Sequence, residues 1–163
     1  MIDPLDGHYS NDIVEDKQVR SAIVVFNLAI VVHRQGIQDV STLYFSKAKT
    51  LYDQAFLLLS EIVPVPVVCS DRCPFFTGHA LIDMLVMALW NNLGHIHMAL
   101  QDTLTSERVF RQLICYTFAI RAGIHRYSES GTNVETIMLQ ESEHYLTNAM
   151  FSVGACVCTA AAA

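Results

Sequence analysis

A seven-residue signature occurs twice in this chain, as Asn27-Leu28-Ala29-Ile30-Val31-Val32-His33 and as Asn92-Leu93-Gly94-His95-Ile96-His97-Met98. Each copy lies in an apolar, helix-like run, sets a small residue directly after Asn-Leu, and leads into a second amphipathic segment. Recurrence of this kind marks a helical-hairpin repeat, because each hairpin needs a neighbour to cover its apolar flank. The pattern points to stacked helices and to a surface for other proteins rather than to catalysis.

The periodicity predicts five helical segments and no strand, an all-α fold in one domain. The first runs from about Glu15 to Gln35 with Val19, Ala22, Phe26, Ala29 and His33 on one stripe, and Gly36 stands where a helix wants a left-handed closing residue. The second, about Ser41 to Ile62, has Tyr44, Ala48, Leu51, Tyr52, Ala55, Leu58, Leu59 and Ile62 inward and Lys47, Asp53 and Gln54 outward. Three prolines, Pro64, Pro66 and Pro74, make residues 63–78 a loop between repeats. A third helix is expected from near Thr77 to Leu100 and a fourth from about Thr105 to His125. Ser128, Ser130 and Gly131 then break the chain, and Thr132-Asn133-Val134-Glu135 reads as a capping box that starts a capping helix over 132–158. In domain terms, residues 1–15 are an acidic, mobile lead-in, and 16–163 form one unit with repeat one at 16–62 and repeat two at 79–125.

Charge excludes one class of partner. The net charge is -6, and Asp3, Asp6, Asp12, Glu15 and Asp16 all precede the first basic residue, Lys17. Setting those five aside leaves 11 acidic against 10 basic residues, so the body is nearly neutral and carries no basic stripe. Without clustered Lys and Arg, phosphate neutralisation has no source, and nucleic acid is not an expected partner. The amino terminus has neither the basic nor the apolar region of a secretory signal, which gives an intracellular expectation, cytoplasmic or nuclear. Five scattered cysteines, Cys69, Cys73, Cys115, Cys156 and Cys158, fit free thiols better than a disulfide framework.

The two hairpins resemble tetratricopeptide repeats. Asn27, Leu28, Ala29 and Val32 match the family's first helix, and Ala48, Tyr52 and Ala55 match its second, although the connection between them is seven residues too long. In the second copy Asn92, Leu93, Gly94 and His97 match with Ser106, Phe110 and Leu113 in register, and Gln101 stands where the turn glycine is usual. The segment Leu89 to His97 is, more narrowly, similar to short repeat proteins of diatoms. The resemblance implies a fragment of a right-handed solenoid, small residues where helices touch, a fifth helix acting as cap, and a groove built from the first helices of both hairpins. It places Ile23, Phe26, Asn27, Ile30, His33 and Arg34 on one wall and Ala88, Asn91, Asn92, His95, Met98 and Ala99 on the other. Of these, Phe26, Asn27, Ile30, His33, Arg34, Asn91, Asn92, His95 and Met98 are the expected partner-binding residues, and the function implied is an adaptor or scaffold that holds a peptide or helix segment. The family's grip on a chaperone's terminal carboxylate needs a Lys and another Asn where Phe26 and Ile30 stand, so that use is not expected.

Two other classes compete. Cys69 and Cys73, with His79, His95 and His97 following, invite a metal- or thiol-dependent regulator or enzyme. The two cysteines are four apart in a proline-flanked loop, and His95 and His97 are two apart on a helix, so no four-ligand set converges and neither metal nor cofactor is expected. Catalytic pairings such as Cys115 with His125 or His144, or Glu141 with Glu143, lack a recognised context, and the chain is not read as an enzyme. The uncharged end, Ala149 to Ala163, is too short and too rich in Ala to span a bilayer, leaving peripheral membrane attachment as the third alternative.

Overall fold

A computed structural model describes residues 6–62, 79–127 and 133–161 and is all-helical there, with helices α1 (Asp6–Asp39), α2 (Thr42–Ser60), α3 (Ala80–Ala99), α4 (Thr103–Tyr127) and α5 (Asn133–Ala161). α1 pairs with α2 and α3 with α4 as antiparallel hairpins, α2 and α3 join the two, and α5 lies against both α3 and α4. The core runs through all five helices, with Tyr52, Trp90, Phe110 and Tyr116 as its largest fully buried side chains. The expected loop over 63–78, with Cys69 and Cys73, and the capping-box residue Thr132 lie outside the described residues.

α1 departs from expectation at both ends. It begins at Asp6, so most of the acidic segment read as a lead-in is helical. It also runs through Gly36. The left-handed residue is Val40, with φ 49°, and the Ser41 amide donates to the Gly36 carbonyl at 3.0 Å, closing α1 with a six-to-one bond. α3 ends the same way: Gln101 has φ 63°, and the amide of Asp102 donates to His97 at 2.9 Å. Gly36 serves a different purpose, since a Cβ there would lie 3.0 Å from Cδ1 of Phe45.

The seven surplus residues of the first hairpin are resolved by the same geometry. Val40 stands eleven residues after Ala29 where Gln101 stands seven after Gly94, and Tyr52 stands twelve after Val40 where Phe110 stands nine after Gln101. Four extra residues therefore lengthen α1 and three lengthen α2. Each is about one turn at 3.6 residues per turn, so the inward faces stay in phase and the connection remains short.

A β-branched residue in the left-handed region is a genuine outlier. Val40 is 85% exposed, so no packing offsets that strain. Val40→Asn, which tolerates the left-handed conformation, is expected to raise stability by about 1 kcal/mol and the melting midpoint by roughly 2–4 °C in thermal denaturation. An unchanged or lower midpoint would show that the hairpin tip carries no such strain.

Candidate functional site

The lengthened tip of the first hairpin overhangs the C-terminal half of α3 and encloses an open pocket of about 430 Å³. α1 supplies Ile30, His33, Arg34 and Ile37, α2 supplies Phe45 and Tyr52, and α3 supplies Asn92, His95 and Ala99. Residues 30, 33, 34 and 37 share one stripe of α1, as 92, 95 and 99 do on α3, at the three- and four-residue spacing that aligns side chains on a helix face.

Aromatic rings form much of the lining. The His33 imidazole meets Phe45 and Tyr52 edge to face, with centroids 5.9 and 6.0 Å away, and the tilted ring of Phe26 packs on Tyr52 at 5.7 Å. His95 stands edge-on to Phe110 at 5.1 Å. Burial pushes the Tyr52 hydroxyl well above the usual phenol range, so it stays protonated, 3.4 Å from Nδ1 of His33.

Burial, and then the charge of His95, hold the His33 pKa below its ordinary 6.5; burial likewise lowers that of His95. Both imidazoles are neutral at pH 7, and Arg34 is the lining residue that carries charge. Because the folded pKa values lie below the unfolded ones, the unfolded chain takes up these protons first. The associated stability is complete above about pH 6.5 and is lost as pH falls through the lowered folded values. Melting midpoints should therefore be level from pH 8 to 7 and decline below 6.5, with a shallower decline in His33→Gln/His95→Gln. An equal slope in that variant would locate the effect elsewhere.

Five of the nine expected binding residues, Ile30, His33, Arg34, Asn92 and His95, come together around this pocket. Phe26 does not line it, because its ring turns into the hairpin against Tyr52. Asn27 is exposed one turn earlier on α1, Asn91 is half-buried with Oδ1 sealed from solvent, and Met98 packs partly against the core. Ile37, Phe45 and Tyr52 belong to the lining but not to the sequence expectation. The length mismatch accounts for Ile37, in the added turn of α1, whereas Phe45 and Tyr52 stand in register with Thr103 and Phe110 and enter the lining as inward residues of α2.

Of the metal and catalytic candidates, Cys69 and Cys73 and the side chain of His125 lie outside the described residues, and the others stand apart. His97 is buried and its Nδ1 lies 3.0 Å from Asp102 Oδ2, while His95 belongs to the pocket and His79 is exposed. Among the described residues no group of three or more His, Cys, Asp or Glu side chains is placed to hold a metal ion. Cys115 and Glu143 are exposed, and His144 contacts Asn148 on its own helix at 3.3 Å. No helix among the described residues is long and apolar enough to cross a membrane. Comparisons with protein families, curated proteins and solved structures find no match to this chain.

Proposed function

We propose that this protein is an intracellular interaction module, cytoplasmic or nuclear, that holds a segment of another protein along the face shared by α1 and α3. The observation that carries the reading is the pocket. It is concave and mixed in character, lies at the junction of the two hairpins, and is built on helices that can hold a bound segment in register. Kinship with tetratricopeptide repeats belongs to the same proposal. It is supported by the close approach of Gly94 to Phe110 and by the burial of Ala29, Ala48, Tyr52, Ser106 and Phe110 at corresponding positions of the two hairpins.

The test is capture from native extract by the full chain and by Arg34→Ala/Asn92→Ala. Arg34 is exposed and Asn92 half-exposed, so the double variant should melt within a few degrees of the parent. Its recovery of specific partners should drop more than tenfold. Gln54→Ala, on the outer face of α2, should change neither property. If the folded double variant recovers every partner as well as the parent, the groove is not the binding surface.

A further inference from the structure

We infer that the pocket between α1, α2 and α3 takes an aromatic side chain of the bound segment, and that Arg34 at its mouth pairs with an acidic side chain within three residues of that ring. The inference rests on the groove reading above and adds the chemistry of the occupant. The size, about 430 Å³, falls within the roughly 300–1,000 Å³ of ligand pockets.

The aromatic component follows from the lining. Phe45 and Tyr52 are buried and already stand edge to face with His33, so a further ring continues an arrangement that aromatic quadrupoles favour. Ile37, still 60% exposed at the rim, and Ala99 on the opposite side are apolar surfaces that such a ring would cover. The neutral imidazoles and the Asn92 amide tolerate a phenol or indole, because each can meet an O–H or N–H.

The acidic component follows from charge. No Asp or Glu lines the pocket, and Arg34 takes part in none of the ion pairs among the described residues, whereas Arg20, Lys49 and Arg111 each pair with an acid four positions away. A guanidinium at the rim of an apolar pocket attracts a carboxylate and repels a basic neighbour. On a chain of net charge -6 this cation also gives an acidic segment one favourable place to land.

Random dodecapeptides displayed on phage, fused through their C-termini so that no terminal carboxylate is offered, are the probe. Selection on the full chain at neutral pH is expected to enrich Phe, Tyr or Trp with Asp or Glu within three residues. An enriched peptide, made with acetylated and amidated ends, should lose at least tenfold in affinity when its ring residue becomes Ala, and severalfold when its acid becomes the amide. Arg34→Gln should produce that same severalfold loss and abolish the preference for acid over amide. Ala99→Trp, which fills the pocket from an exposed position, should abolish binding, and Ile37→Asp on the other rim supplies the same test should Ala99→Trp melt early.

Enriched sequences without a ring, or an acid preference that survives Arg34→Gln, would overturn the inference. Peptides that ignore Ala99→Trp and Ile37→Asp but are lost on Asn92→Ala would overturn it while leaving the groove reading in place. No enrichment by the parent over Ala99→Trp would sink both.

Discussion

Gly94→Leu is expected to destabilise the protein more than any surface change, and even Gly94→Ala should be unfavourable. A Cβ at this position would lie 2.6 Å from Cζ of Phe110 and 2.7 and 2.8 Å from its Cε atoms. Two effects oppose each other. Replacing Gly by Ala inside a helix contributes about 1 kcal/mol through backbone propensity. Against it stands a ring that is fully buried. Overpacking of this kind costs about 1 to 3 kcal/mol or more. The Ser106 hydroxyl donates to the Gly94 carbonyl at 2.8 Å, which independently marks how closely α3 and α4 approach. For Gly94→Leu the melting midpoint should fall by roughly 5–10 °C, and adding Phe110→Leu should return part of it, because the two changes share one space. Ala48→Leu, at a fully buried position of the first hairpin, should act in the same direction. Unchanged midpoints for both leucine variants would mean that these helices do not touch where the small residues stand.

How far the sequence discloses the structure differs from helix to helix. α2 and α4 were legible because one face of each is wet: Ala48, Tyr52, Ala55 and Leu59 are buried opposite exposed Asp53 and Gln54, and Val109, Phe110, Leu113, Thr117 and Ile120 are buried on α4. α3 is covered on most sides, so periodicity alone could not rank its residues. Trp90, Val86, Met87 and Leu89, which fall on several faces of the helix, are all essentially fully buried. α1 shows the opposite case. Val24, Leu28 and Val31 recur at four- and three-residue steps like core residues, yet they are 68%, 51% and 65% exposed. Periodicity identifies a face, and only a neighbour makes it a core. Gly36 looked like a terminator because glycine favours left-handed backbone, whereas here its missing Cβ makes room for Phe45. The pocket is half legible for a related reason: face assignments bring Ile30, His33, Arg34, Asn92 and His95 together, Ile37 joins them because α1 gains a turn, and Phe45 and Tyr52 come from the inward face of α2, which a groove built from first helices alone leaves out.

The second large effect is expected at Tyr116, whose partner Asp83 reads in sequence only as an interruption of an apolar run. Asp83 is fully buried in the first turn of α3, where its carboxylate is close to the positive end of the helix dipole, and the Tyr116 hydroxyl of α4 donates to its Oδ1. Burial first, then the charge of Asp83 and the bond to it, push the phenol far above its usual range. The hydroxyl therefore remains a donor at every pH at which the fold is studied. The ring also packs edge-on against Trp90, at 5.1 Å and 86°, which fixes the direction of its hydroxyl. Tyr116→Phe keeps the ring and its packing but withdraws a donor from a buried carboxylate. Hydrogen bonds to charged groups contribute about 1.5–3 kcal/mol, so the midpoint should fall by roughly 3–10 °C. Asp83→Leu/Tyr116→Phe replaces both polar partners by apolar groups of similar shape and should lose less than Tyr116→Phe and Asp83→Leu added together, because buried polar partners are worth most as a pair. Strict additivity across that cycle, or a Tyr116→Phe midpoint equal to the parent's, would show that the bond does not help lock α3 to α4. The folded position of the α3 wall of the pocket would then rest on packing around Trp90 and Phe110 alone.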